Sequence, residues 1–207
     1  MRVMKSLQAF IDKQYGEPTG ITGMYLGEKM VKQHRIETMW TIDQLNLDRD
    51  ETILELGCGA GYAIKMLCNE EAVSSIHALD LSFSVLKTAA IRNRKDVDDG
   101  KVTLVQGNVN YLPFKQDSFS KLFSIHSIYF WDDIPKTINE IHRVLQPKGT
   151  VILTLCNGIN DSKKGGVTKM INEEVIPSMK LCGFKQIDLL SGPESRGYHM
   201  IAVKGVK

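Results

Sequence analysis

Much that would mark a specialised protein is missing from these 207 residues. No apolar stretch approaches the roughly 20 residues that cross a bilayer, and the first residues lack the apolar core of a secretion signal; the expectation is a soluble, cytoplasmic chain without membrane contact. Neither sign of charge predominates, because 26 basic residues against 24 acidic leave +2, too weak a field to draw nucleic acid. The one denser basic run, Arg92, Arg94 and Lys95, falls at an expected helix end, where positive charge suits the macrodipole. The four cysteines, Cys58, Cys68, Cys156 and Cys182, form no Cys-x-x-Cys pair and read as reduced thiols. No metal-ligand spacing is present, so no metal is expected, and His77 within a strand reads as structural. Internal repeats and low-complexity tracts are also absent.

What is there is a 43% hydrophobic chain, long enough for one well-buried core and short for two. A single domain is expected over 1–207, with a helical N-terminal cap over 1–48, a core over 50–156, and a C-terminal helix and hairpin over 157–207. In the cap, Val3, Met4, Leu7, Phe10 and Ile11 share a helical face, and Met30, Val31, His34, Met39 and Ile42 recover that spacing after a Gly-punctuated loop. From Thr52 the pattern alternates: strands near 52–56, 75–80, 101–106, 120–125 and 150–156, helices near 61–69, 82–94 and 133–145. A polar loop over 158–166 precedes a helix near 168–182 interrupted by Pro177, then strands near 185–190 and 198–203 joined by 191–197. Such alternation builds an α/β fold, a Rossmann-like, doubly wound and mostly parallel sheet of seven strands, closed by an antiparallel hairpin.

Residues 53–61 read Ile-Leu-Glu-Leu-Gly-Cys-Gly-Ala-Gly, an apolar strand entering three alternating glycines. A turn of this kind lets backbone approach a ligand where a β-carbon would collide. The second apolar run ends in Asp80, where a parallel sheet offers a ribose its hydroxyl acceptor. Tyr62 stands where a dinucleotide fingerprint needs its third glycine, and no Gly-Lys-Ser or Gly-Lys-Thr follows, so a pyrophosphate or triphosphate is excluded.

The run Glu55-Leu-Gly-Cys-Gly-Ala-Gly61 resembles motif I of the class I S-adenosylmethionine-dependent methyltransferases, of the small-molecule type. Asp80-Leu81-Ser82, Gln106-Gly107-Asn108-Val109, Leu112-Pro113-Phe114 with Asp117-Ser118-Phe119, and Arg143 through Thr150 follow in the family's order. Two positions depart: Asn108 replaces the usual Asp beside adenine, and Lys148 the first glycine of Pro-Gly-Gly. The resemblance implies S-adenosyl-L-methionine as cofactor. It would be held by Glu55 (toward its ammonium), Gly57, Cys58, Gly59, Gly61, Asp80 (ribose), Leu81, Asn108 and Val109 (adenine), and Ser124. For Asp80 the competing role is a helix cap, for which Ser82 is better placed.

The substrate side follows the fourth strand, Ser124 to Asp132. That segment lacks the Asn/Asp-Pro-Pro-aromatic signature of methyltransferases acting on base amino groups or glutamine amides, and the Pro-Cys pair of cytosine carbon methylation. His126 is the candidate catalytic base, with a structural histidine as the equal alternative. Tyr129, Phe130 and Trp131 either line the cavity or anchor the next helix; Tyr15, Tyr25 and His34 are candidates to complete the pocket from the N-terminal segment. The expected activity is methyl transfer to a small-molecule oxygen, nitrogen, carbon or sulfur by a monomer or homodimer. The alternatives are an RNA or protein methyltransferase and a non-catalytic S-adenosylmethionine-binding regulator.

Overall fold

The structure, a computed structural model, describes residues 31–157 and 166–207. The expected helix over 3–14, Tyr15, Tyr25 and most of the 158–166 loop lie outside them. The elements in chain order are α1 (Arg35–Gln44), β1 (Glu51–Leu56), α2 (Tyr62–Leu67), β2 (Val73–Asp80), α3 (Phe83–Arg92), α4 (Arg94–Asp98), β3 (Val102–Gln106), β4 (Phe119–Ile125), α5 (Ile134–Val144) and β5 (Leu145–Asn157). Then come α6 (Gly166–Met170), a π-helical turn (Ile171–Val175), α7 (Ile176–Cys182), β6 (Lys185–Ser195) and β7 (Tyr198–Val206).

Seven strands form one sheet in the order β3-β2-β1-β4-β5-β7-β6. Only β7 runs against its neighbours, pairing antiparallel with both β5 and β6. The chain winds outward from β1 through β2 to β3, then returns to β4 beside β1. That reversal opens a crevice at the carboxyl ends of β1 and β4.

Alternation along the central strands sends side chains to two cores. Leu54 and Leu56 of β1 join Leu122 of β4 and Val151, Leu153 and Leu155 of β5 on one face. Ile53, Phe123 and Ile152 point to the other, with Ile64 and Leu67 of α2 and Leu86 of α3. Helix α5 buries Ile134, Ile138, Ile141 and Val144, a stripe at helical spacing, and the Asp133 carboxylate caps it by accepting from the Lys136 amide at 2.9 Å. Arg143 on α5 donates to Glu140 and to the carbonyls of Leu112 and Phe114, fixing the loop before β4.

Four sequence expectations change. Helix α1 turns Glu37, Thr38, Thr41 and Ile42 inward and leaves Met39 exposed: Ile42 joins the second core, while Thr41 Oγ1 lies 2.7 Å from Thr154 Oγ1 of β5. Strand β5 begins at Leu145 and carries Pro147-Lys148-Gly149 as a bulge, with Lys148 at φ 67° and its amide donating to the Lys207 carbonyl. The expected interruption of the 168–182 helix lies just before Pro177 and not at it: Ile171–Val175 forms a π turn, and Pro177 falls in the first turn of α7. The hairpin loop is only Arg196-Gly197, both at positive φ as a two-residue hairpin demands, so β6 runs on through Ser195 where a longer connection was expected.

Candidate functional site

The turn after β1 is built from both sides. The amides of Gly57 and Cys58 donate to the Leu79 carbonyl at 2.8 and 3.2 Å, tying the turn to the end of β2. Gly57, Gly59 and Gly61 have φ of 74°, 51° and 73°, the left-handed region that penalises a side chain. A β-carbon on Gly57 would lie 2.4 Å from Ser127 Cβ, whereas one on Gly59 would meet nothing within 4 Å. Gly57 thus packs under the segment leaving β4, and Gly59 faces open space.

The far end of the turn rests on α3. The Arg92 guanidinium donates to the Ala60 carbonyl, and Asn93 Nδ2 donates to the carbonyls of Gly61 at 3.0 Å and Ala89 at 2.9 Å. Arg92 is therefore more than a helix-end charge. Asn93 has no sequence signal, since its partner lies 32 residues away. Asn93→Ala removes both side-chain hydrogen bonds from a buried site, leaving those carbonyls only the Lys65 and Asn93 backbone amides, and is expected to cost about 1–3 kcal/mol, read as a lower denaturant midpoint; an unmoved midpoint would deny the clamp.

Asp80, at the tip of β2, accepts from the Gly59 amide through Oδ2 at 2.8 Å and from the Ser82 amide through Oδ1 at 2.9 Å. Both oxygens keep lone pairs for a ligand. The capping of α3 is done by Ser82 Oγ, which accepts from the Val85 amide at 3.4 Å. Beside Asp80, Leu81 and Phe83 expose 47% and 57% of their surfaces, an apolar wall facing outward. Asn108 Oδ1 accepts from the Asn110 amide at 2.8 Å, and Val109 packs half-buried against the core.

Glu55 is buried, and its Oε2 has no hydrogen-bond partner. Burial pushes its carboxyl well above the usual range, and the charge of Asp80 adds to the effect. Ser124, in register with Leu56, is also buried with an unpartnered Oγ. Burial likewise raises the Cys58 thiol, so it is packing and not a nucleophile. An unmet buried carboxylate beside an open cradle fits a ligand that carries a cation and approaches backbone closely.

Residues 54–153 match the family model described as Methyltransferase domain. The chain is 31% identical over 166 residues to the uncharacterized methyltransferase YdaC of Bacillus subtilis, across 80% of this chain and 89% of that protein. The chain belongs to the class I S-adenosylmethionine-dependent methyltransferases. It is also 27% identical over 156 residues to the 2-phytyl-1,4-naphtoquinone methyltransferase of Nostoc punctiforme, across 74% of this chain and 68% of that protein. A phosphoethanolamine N-methyltransferase of Haemonchus contortus, solved with phosphomonomethylethanolamine and S-adenosylhomocysteine, shares the fold with a TM-score of 0.72 at 19% identity, across 90% of this chain and 57% of that one.

In this methyltransferase the segment after β4 closes over the glycine turn. Trp131 is buried in the core and its indole N–H donates to Ser127 Oγ at 2.8 Å, so it takes the anchoring role of the two expected for it, not the cavity-lining one. Tyr129 is 40% exposed; its hydroxyl accepts from the Cys156 amide at 2.8 Å and lies 3.5 Å from His126 Nδ1. His126 sits at φ 57° with its amide on the Thr154 carbonyl, and its Nε2 lies 3.8 Å from Cys156 Sγ and 3.9 Å from Glu37 Oε1. Both ring nitrogens thus face protein groups. Burial, reinforced by the neighbouring His34 and Arg196, lowers the imidazole to about 3 despite Glu37.

Glu37 is the residue sequence reading missed. Its side chain is fully buried, 89 positions before His126 in the chain, and no motif surrounds it. Its Oε1 lies 3.7 Å from His34 Nδ1 and accepts from Arg196 Nη2 at 2.9 Å. Burial alone would raise it, but hydrogen bonds from His34, its own backbone amide and Arg196 outweigh that and bring it to about 2. The one cue was a charged residue on the inward face of a helix.

Proposed function

We propose that the chain moves the methyl of S-adenosylmethionine onto a small-molecule acceptor bound between the carboxyl ends of β4 and β5. Among the described residues, the unmet Glu55 carboxylate oxygen carries the reading, since a ligand ammonium is the cheapest group to satisfy it. Asp80 then takes the ribose hydroxyls with its remaining lone pairs. Leu81 and Val109 flank adenine, and Asn108, its Oδ1 shared with the Asn110 amide, borders the ring's amino edge. Gly57, Cys58, Gly59 and Gly61 supply the close backbone, and Ser124 a hydroxyl at the floor.

The bound cofactor supplies a methyl on a good leaving group, so the chain's task is to align the acceptor and exclude water. Tyr129, half-exposed above the β4 end, is the described aromatic best placed to face the acceptor, and His126 acts through the groups it touches. The near-neutral charge and the quinone methyltransferase among the relatives support a small acceptor.

Asp80→Ala is expected to weaken S-adenosylmethionine by about 1–3 kcal/mol in calorimetry, the cost of losing a charged hydrogen-bonding partner. Unchanged affinity in a folded variant would remove Asp80 from the site. For the acceptor, methyl transfer is measured against small hydroxyl, amine, thiol and hydroquinone compounds, with RNA and protein in parallel. Transfer confined to RNA or protein would overturn the small-molecule reading, and tight cofactor binding without any turnover would make the chain a sensor.

A further inference from the structure

We propose that His34, Glu37 and His126 form a binding site for one divalent transition-metal ion of the zinc type. Its place at the acceptor end of the active site rests on the function proposed above; the site itself does not.

The geometry is close to complete. One ligand atom from each residue lies within 4.8 Å of the other two, with Glu37 Oε1 3.7 Å from His34 Nδ1 and 3.9 Å from His126 Nε2. A four-coordinate ion with bonds of about 2.0–2.1 Å holds its ligand atoms roughly 3.4 Å apart, so the two Glu37 distances need shorten by only a few tenths of an ångström and the two imidazoles, within 4.8 Å, close the rest by side-chain rotation. The fold makes this convergence from two distant segments, α1 and the tip of β4. His126 is aimed by a left-handed backbone that few non-glycine residues adopt, fastened by its amide to Thr154.

The surroundings suit a ligand set. The Tyr129 hydroxyl stands 3.5 Å from His126 Nδ1, the outer contact that fixes a metal-bound imidazole's orientation. Glu37 Oε2 is buried without a partner, so the carboxylate has bonding capacity the protein leaves unused. Two imidazoles and one carboxylate favour zinc, cobalt, nickel or iron over magnesium and calcium, which take oxygen donors. Three protein ligands leave a position open, as in catalytic and not structural sites. Cys156 Sγ stands 3.8 Å from His126 Nε2 and lies outside the three-residue cluster.

A cation already stands here. Arg196 Nη2 lies 2.9 Å from Glu37 Oε1 and 3.1 Å from His34 Nδ1, so the guanidinium is a built-in competitor that must withdraw before an ion enters. Its side chain is 37% exposed and sits on the two-residue β6–β7 loop, next to solvent. A doubly charged ion replaces one positive charge with two beside the Glu37 carboxylate and engages both imidazoles at once, whereas the guanidinium reaches only the His34 ring, through Nδ1.

The test uses the full chain, chelator-treated and without S-adenosylmethionine. Zinc chloride is titrated by calorimetry, and cobalt(II) chloride by visible d–d absorption. One equivalent should bind to the wild type with a tetrahedral cobalt spectrum. Glu37→Gln and His34→Ala, each checked for folding by circular dichroism, should each weaken binding by roughly tenfold or more, and Arg196→Ala should tighten it by a similar factor. Absence of stoichiometric binding in the wild type overturns the proposal. So does binding indifferent to His34 and Glu37, or binding that Arg196→Ala leaves unchanged or weakens. S-adenosylmethionine affinity measured on the same preparations reports separately on the cofactor site, so failure of one reading is not failure of the other.

Discussion

Gly59→Ala is expected to fold and lose its cofactor, whereas Gly57→Ala is expected to lose the fold of the site itself. Both residues have positive φ, so either methyl costs about 1–2 kcal/mol for left-handed backbone. At Gly59 that is nearly the whole cost, because the new β-carbon meets nothing within 4 Å. A domain with 5–15 kcal/mol of stability survives it. The methyl nevertheless occupies the space through which the ligand reaches the backbone, and S-adenosylmethionine affinity should fall by two orders of magnitude or more, about 3 kcal/mol. At Gly57 the β-carbon would stand 2.4 Å from Ser127 Cβ, beside the main chain of the segment leaving β4. Overpacking there adds about 1–3 kcal/mol to the backbone cost. Thermal melts and cofactor titrations on both variants separate the outcomes; a Gly59→Ala protein that binds normally would remove the turn from the cofactor site.

Binding of S-adenosylmethionine to the wild type should release a proton, and Glu55→Gln should abolish the release. Buried and unmatched, the Glu55 carboxyl holds its proton well above the ordinary range. A ligand ammonium favours the carboxylate and brings the pKa down. Between the lowered value in the complex and the raised value in the free chain, the complex binds fewer protons. Affinity therefore climbs with pH through that window and levels off above the raised value. Stability of the free chain has the opposite slope: the folded state binds the extra proton, so Glu55 makes the chain less stable as pH rises from the ordinary carboxylate value toward its raised one. Glu55→Gln keeps the shape and removes the titration, and should cost about 1.5–3 kcal/mol in cofactor affinity, the worth of a charged hydrogen bond. Calorimetry in two buffers of different ionisation heat reads the proton directly. Equal apparent heats for the wild type in both would sink the assignment.

The glycine turn, Asp80 and the Ser82 cap were legible because each is a local requirement: positive φ, an acid at a strand tip, a hydroxyl at a helix start. The strands of the core were legible for the same reason, as apolar runs of strand length bounded by turns. Helix α1 was misread for an informative cause. Apolar spacing predicts a face directed at a hydrophobic core, yet Glu37, Thr38 and Thr41 are turned inward beside Ile42, leaving Met39 outside. Trp131 shows where the sequence leaves two roles open: lining and anchoring were both expected, and the indole donating to Ser127 from inside the core shows the anchor.

By itself, then, the sequence determined the α/β winding, the glycine turn and the family, because these are written in short runs where neighbours in the chain are neighbours in space. Tertiary structure alone decided which distant groups share a cavity. Asn93 under the glycine turn owes its surroundings to a partner 32 residues away, and Glu37 to His126 and Arg196, 89 and 159 residues away. No local pattern can encode such contacts, since they form only when the sheet brings α1, the tip of β4 and the β6–β7 loop to one edge.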